Sequence, residues 1–400
     1  MKKIWALFVI VISLLSSVIS GMAEDDRPLY IRGVMDVTHM DEDFEIQSDS
    51  VIERQIDPTI TALDVRKAIE SGDTTDLFHI PLDADVIELV RDGLIMPIGL
   101  SDALSADVQE MTPAVKEALF DNGVLYAVPS VMLAKIWKGE FEIPATYAEL
   151  LNHIDSLAIA WGNESIWSKR DYVNALLETF ISESIRNSGN IDFCSEVFAE
   201  TLKKLKKAEL PSALNSDYLA VINPAEIIDL GNAFTDALPK NAGKNDDPGT
   251  NGKDDPQWLL PPTVMREAEP SVPVRMYVYV INAHAQNTDK ALQYLEYMVS
   301  HRDSGDEGLL KPDNAEAVFY SESNVWAITE KRLMAYKETC LPYLDMRMHP
   351  LFSLSAKQEG GTYFRMLEIV MEYVEGNAEL DICQARLEHI MKDFSHEKKM

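Results

Sequence analysis

Cysteine is scarce, with three in 400 residues: Cys194, Cys340 and Cys383. An odd count without a CxxC pair excludes a complete disulfide framework, so the fold must rest on packing. Cys194 and Cys383 fall among apolar helical positions and are expected in the core. Cations are also short, 36 Lys and Arg against 66 Asp and Glu, for a formal charge of −30. Such a chain repels nucleic acid and an anionic membrane face, and neither is expected as a partner. There is no Gly-rich phosphate loop, no GxSxG elbow and no HExxH motif. The eight histidines are scattered without an i, i+4 pair, so no metal or cofactor is expected. A faint calcium-loop pattern at Asp247, Asn251 and Gly252 lacks its closing Glu, because Trp258 stands there. Carboxylates abound, but nothing singles out a catalytic pair.

What is present begins with an apolar run from Ile4 to Ile19, led by Lys2 and Lys3 and followed by Gly21-Met22-Ala23. That pattern predicts a secretory signal peptide over 1–23. The run is short for a membrane span, and no cysteine follows it to carry a lipid anchor. The expectation is an exported protein, periplasmic or extracellular. Loss of the two leader lysines leaves a mature chain of about 377 residues carrying about −32. That length predicts two lobes rather than one core.

Helical periodicity marks 146–158, opened by the capping box Thr146-Tyr147-Ala148-Glu149. It recurs over 171–187, 192–207, 288–300, 362–375 and 379–394, with Gly376 as the stop between the last two. A further helix is expected over 57–71, with Asp57 as cap and Pro58 at the first turn. Short apolar strands are expected at Leu77–Ile80, Val124–Leu133, Trp258–Leu260 and Val274–Asn282. Residues 237–257 lack apolar periodicity and read as a surface loop. Strands alternating with helices predict α/β layers.

Within the second strand, Pro129 interrupts Val124–Leu133 although proline cannot donate to a ladder. Four ordered segments bear on this. They are "IESGDTTDLFHIPLDADVIELVRDGLIMPI" (69–98), "DNGVLYAVPSVML" (121–133) with "IPATYAELL" (143–151), "WLLPP" (258–262) with "YVYVINAHAQNTDKALQYLEYM" (277–298), and "VMEYVEGNAELDICQARLEHIMKDF" (370–394). In order and spacing the chain resembles the extracellular solute-binding proteins of ABC importers, in the carbohydrate-type cluster that includes maltose-binding protein. The resemblance implies a two-lobe α/β fold of the periplasmic-binding type (type II), with the strand at Pro129 crossing between lobes. An edge strand with a bulge is the alternative. By similarity a second crossover falls near Tyr279–Asn282 and a third between about 310 and 325. Lobe 1 would comprise 24–129 and about 281–315, and lobe 2 130–280 and about 316–400. Implied hinge residues are Pro129, Ser130, Val280 and Ile281.

Ligand contacts carry over one at a time. Asp83, after the Asp-led strand, could accept sugar hydroxyls, or it could cap the helix starting near Ala84. Ser130 stands where the family often places an acidic residue, a departure that argues against a maltose-like ligand. Tyr363 matches an aromatic platform for a sugar face, with core packing as the alternative. Trp161, in the stretch "WGNESIW" expected as a loop, and Asp36 and His39, after the first strand, complete the set.

The implied function is capture of a small solute, a sugar or oligosaccharide first, by a monomer that delivers it to ABC permease membrane subunits. It is a binder and not an enzyme, needing no cofactor. Rivals are a secreted glycan hydrolase, which requires two carboxylates about 5–5.5 or 6.5–9.5 Å apart, and an unanchored extracellular sensor or adhesin on the same fold.

Overall fold

The computed structural model describes residues 27–34, 38–139, 145–154, 157–161, 165–210, 220–228, 257–301 and 341–397. The chain starts with β1 (Leu29–Gly33), α1 (Thr38–Ser48), β2 (Ile52–Ile56), α2 (Ala62–Glu70), β3 (Leu77–Pro81) and α3 (Ala84–Arg91). Next come α4 (Asp102–Glu110), α5 (Pro113–Leu119) and a hairpin of β4 (Phe120–Asp121) and β5 (Val124–Leu125). The long β6 (Val128–Gly139) leads into α6 (Tyr147–Leu150), β7 (Leu157–Trp161), β8 (Ser165–Ile166), α7 (Lys169–Ser188), α8 (Glu196–Lys207) and β9 (Ala220–Ile228). Then follow β10 (Gln257–Leu259), β11 (Val272–Ile281), α9 (Thr288–His301), β12 (Leu344–Asp345), α10 (Leu354–Lys357), α11 (Thr362–Val374) and α12 (Leu380–Glu397).

One mixed sheet threads the described residues in the order β2-β1-β3-β11-β6-β9-β7-β8. The first three strands run parallel; β11 and β6 are antiparallel to their neighbours along this path. Buried side chains separate into two clusters. Core 1 gathers Leu29, Ile31, Phe78, Ile80, Met132, Val278, Tyr294 and their neighbours; core 2 gathers Trp137, Tyr172, Phe180, Phe193, Phe198, Leu351, Val370 and theirs. In core 2 the rings of Phe180, Phe193 and Phe198 meet with centroids 4.5–5.7 Å apart. Each such side chain contributes roughly 1.5–3 kcal/mol by burial.

Local chemistry explains most boundaries. The capping box at Thr146 and Glu149 forms as expected, but the helix ends at Leu150 in a 3-10 turn, and 157–161 is a strand. The expected helix over 57–71 starts later. Its cap is Thr61, reciprocated by Asp64, because the Asp57 carboxylate is drawn 2.6 Å from Arg32. Cys383 is buried as expected; Cys194 is exposed, since it precedes α8 on a turn where its N–H donates to Asp192. Cys340, most of the 237–257 loop and the expected third crossover at 310–325 lie outside the described residues.

Candidate functional site

Followed through its buried side chains, the chain passes between the cores three times among the described residues. On β6 the change falls between Met132 and Trp137, before β11 between Val264 and Val272, and after β12 between Met346 and Leu351. A buried polar clasp holds each passage.

At the first, Pro129 faces Val278 and Val131 faces Tyr277, leaving Ser130 as a bulged extra residue. A bulge is where a strand tolerates a missing donor. The strand is central in the sheet, not at its edge. The Ser130 hydroxyl donates to the Tyr277 carbonyl (3.1 Å), so its oxygen accepts from Nε2–H of His79 (2.6 Å). Burial, with Arg54 nearby, holds the His79 imidazole well below its usual pKa and therefore neutral. Its ring stacks on Tyr279, centroids 4.3 Å apart.

At the second passage Glu183, on the inward face of α7, accepts the backbone N–H groups of Val264 (2.9 Å) and Met265 (2.8 Å). Burial pushes its carboxyl up to about 7, against the pull of those two donors. At the third, Asp345 accepts hydroxyls of Ser182 on α7 and Ser271 beside β11, and pairs with Arg347. Burial alone would raise this carboxyl, but Arg347 and the two hydroxyls outweigh it and hold it below the usual range. Arg347 adopts a left-handed φ of 53°, donates to the Glu178 carbonyl (2.7 Å) and lies 4.7 Å over the Phe352 ring. A left-handed non-glycine residue costs roughly 1–2 kcal/mol.

A fourth link joins the cores without a chain passage. Asp83 does cap α3, accepting from Asp85 N–H (3.0 Å), and its other oxygen accepts from Leu354 N–H of α10 (2.8 Å). Tyr363 is reached from α10 by Lys357, whose ammonium lies 5.4 Å over its ring. Tyr363 is buried in core 2, its hydroxyl donating to Asn174 Oδ1 (2.9 Å). Asp83, Ser130 and Tyr363 are thus all at or beside the boundary, and all three are buried.

Val280 and Ile281 lie deep in core 1, paired with Phe78 and Leu77. Trp161 pairs through its backbone with Ser165; its side chain, that of His39 in α1, and the whole of Asp36 fall outside the described residues. Glu183, Asp345, Arg347 and Lys357 were not singled out from the sequence. Glu183 could have been, since it follows Phe180 by three and Leu176 by seven on the apolar face of α7.

Two other features sit away from the boundary. Atoms of Asp192, Cys194 and Glu388 lie within 4.8 Å of one another, and backbone N–H bonds from Cys194 and Phe193 account for both carboxylates. A groove of about 700 Å³ runs between α11 and α12, lined by Phe364, Arg365, Ile382, Arg386 and His389 among others.

Solved structures align with this architecture along most of its length. A cyclo/maltodextrin-binding protein complexed with maltotetraose matches with TM-score 0.55 and 14% identity, over 92% of this chain and 97% of that one. The maltose-maltodextrin binding protein of Alicyclobacillus acidocaldarius matches with TM-score 0.57 and 13% identity, over 92% and 100%. A protein from work on xylan utilization by the thermophilic bacterium Caldanaerobius polysaccharolyticus gives TM-score 0.57 and 13% identity, over 90% and 99%. The fold is that of the type II periplasmic binding proteins. No family model and no curated protein matches the sequence. The four polar links lie where the two cores meet.

Proposed function

We propose that this chain is the extracytoplasmic solute-binding component of an ABC transporter, capturing a sugar or oligosaccharide between its lobes and presenting it to a membrane permease. The observation that carries the reading is the shared fold over about nine-tenths of the chain with a protein complexed with maltotetraose. In this reading core 1 and core 2 are the lobes, and residues 1–23 are a leader that exports the chain. Binding proceeds without chemistry, as befits a fold whose matched structures are named for binding maltodextrins. The strong net negative charge favours neutral or cationic solutes over anionic ones. The absence of an acidic residue directly after Pro129 separates the cleft chemistry from a maltose-like site.

Thermal unfolding against maltodextrins, xylo-oligosaccharides, other sugars, amino acids, peptides and polyamines tests the assignment. A ligand at about 100 times its Kd stabilises by roughly 2.7 kcal/mol. One sugar class is expected to raise the melting temperature reproducibly with no product formed. A shift with peptides alone, or a sugar cleaved during the assay, would overturn it.

A further inference from the structure

One carboxylate, that of Asp83, caps α3 and also accepts the first N–H of α10, which Ser353 caps. Oδ1 accepts from Asp85 in α3 and Oδ2 from Leu354 at the start of α10. Asp85 adds a longer bond to the Ser355 N–H (3.4 Å). On one side the flanking Leu82 and Val86 belong to core 1; on the other Phe352 and Ala356 belong to core 2. Asp83 is only 6% exposed in this arrangement. A separation of the two cores at this point would break the Leu354 bond and return the carboxylate to water.

We propose that closure of the two lobes takes up a proton at Asp83, so that acid favours the closed form and neutral pH favours the open one. The proposal rests on the solute-binding reading, to which it adds a pH control on the cleft. The physical reason is desolvation. A carboxylate sealed between two lobes loses hydration that the backbone donors Leu354, Asp85 and Val86 replace only in part. Burial first, then the neighbouring charge of Asp85, raises the Asp83 carboxyl from 3.8 to about 6 in this arrangement, which the proposal takes as the closed form. The sign follows from linkage. The closed form holds the proton at a higher pH than the open form, so closure gains as pH falls through about 6 and loses as it rises. The protonated carboxyl keeps an acceptor oxygen for a cap.

The charged groups on the packed elements leave that balance in place. On α3 the neighbour is Asp85, which raises the Asp83 carboxyl further. On α10 the cation is Lys357, held 2.6 Å from Glu178 of α7. On the segment leading to α10, Arg347 is paired with Asp345, and His349 Nδ1 accepts the Leu351 N–H (3.3 Å). With an open-form value near 3.8, the closed-to-open ratio rises roughly tenfold from pH 8 to pH 5.

Small-angle scattering of the protein without any solute reads this directly, and so separately from the sugar assignment. The radius of gyration is expected to be smaller at pH 5 than at pH 8. Asp83→Asn, neutral at both and still able to cap, is expected to stay compact at both. Asp85→Asn, which removes the charge that raises Asp83, is expected to move the transition to lower pH. A radius unchanged across this range in the wild type overturns the proposal. So does a pH response that persists in Asp83→Asn or that Asp85→Asn leaves in place.

Discussion

The guanidinium of Arg54 closes on the carboxylate of Asp41 through two hydrogen bonds, Nε to Oδ2 at 2.5 Å and Nη2 to Oδ1 at 2.8 Å. Their side chains are 7% and 10% exposed, and the Tyr294 hydroxyl accepts from Arg54 and donates to Asp41. Removing one partner of a buried pair strands the other charge. Asp41→Ala is expected to cost about 3–5 kcal/mol. The double variant Asp41→Ala, Arg54→Met should lose distinctly less. Urea unfolding of both would decide it, and equal losses would refute the stranded-charge account.

Gly33 and His79 face each other on the parallel strands β1 and β3. A Cβ at Gly33 would sit 2.4 Å from the Cβ of His79 and 2.9 Å from its carbonyl oxygen. Neither is the end of a flexible chain, so the strands must part. Gly33→Ala is expected to destabilise by about 1–3 kcal/mol. Thermal melts check it; an unchanged melting temperature would mean that the ladder absorbs the methyl.

Glu183 has its carboxyl raised by burial from 4.5 to about 7. A carboxyl raised in the folded state penalises folding fully above its folded value. The penalty is relieved as pH falls from about 7 to 4.5. Stability relative to Glu183→Gln is therefore expected to rise by up to ~3 kcal/mol between pH 8 and pH 4.5. The measurement is the difference in urea midpoint between the two proteins at several pH values. A flat difference would place the titration elsewhere.

The two described thiols should differ in reactivity. Burial pushes the Cys383 thiol up to about 11 and shields it. Cys194 is exposed, though slight burial and the carboxylates of Glu388 and Asp192 raise it too. Maleimide is expected to modify Cys194 in the native protein and Cys383 only after unfolding, as read by peptide mass spectrometry. Asp192→Asn should speed modification of Cys194. Native labelling of Cys383 would contradict its place in core 2.

How much of this could be read from residues alone depended on the range of the deciding interaction. The amphipathic α7, α8, α9, α11 and α12 were legible because their apolar stripes are local. Leu157–Trp161 was not, since a short apolar run looks alike as a helix end or a buried strand. The cap at Thr61 was not read from the sequence, although Thr61 and Asp64 form a local capping box; Asp57 is instead engaged by Arg32 and Thr59. At the lobe boundary, Asp83 and Ser130 stood out by their position next to a strand end and a proline. Arg347 and Lys357 did not, because Glu178, which anchors both, is 169 and 179 residues away.

The sheet itself runs through the boundary. Leu133 and Ala134 are paired with β11 on one side and β9 on the other, so one hydrogen-bonded sheet serves both cores. A pin joint would let the halves swing freely; a shared ladder resists in proportion to how far it is wound. Any relative movement of the two cores would therefore have to twist this ladder, whose register on β6 ties one to the other.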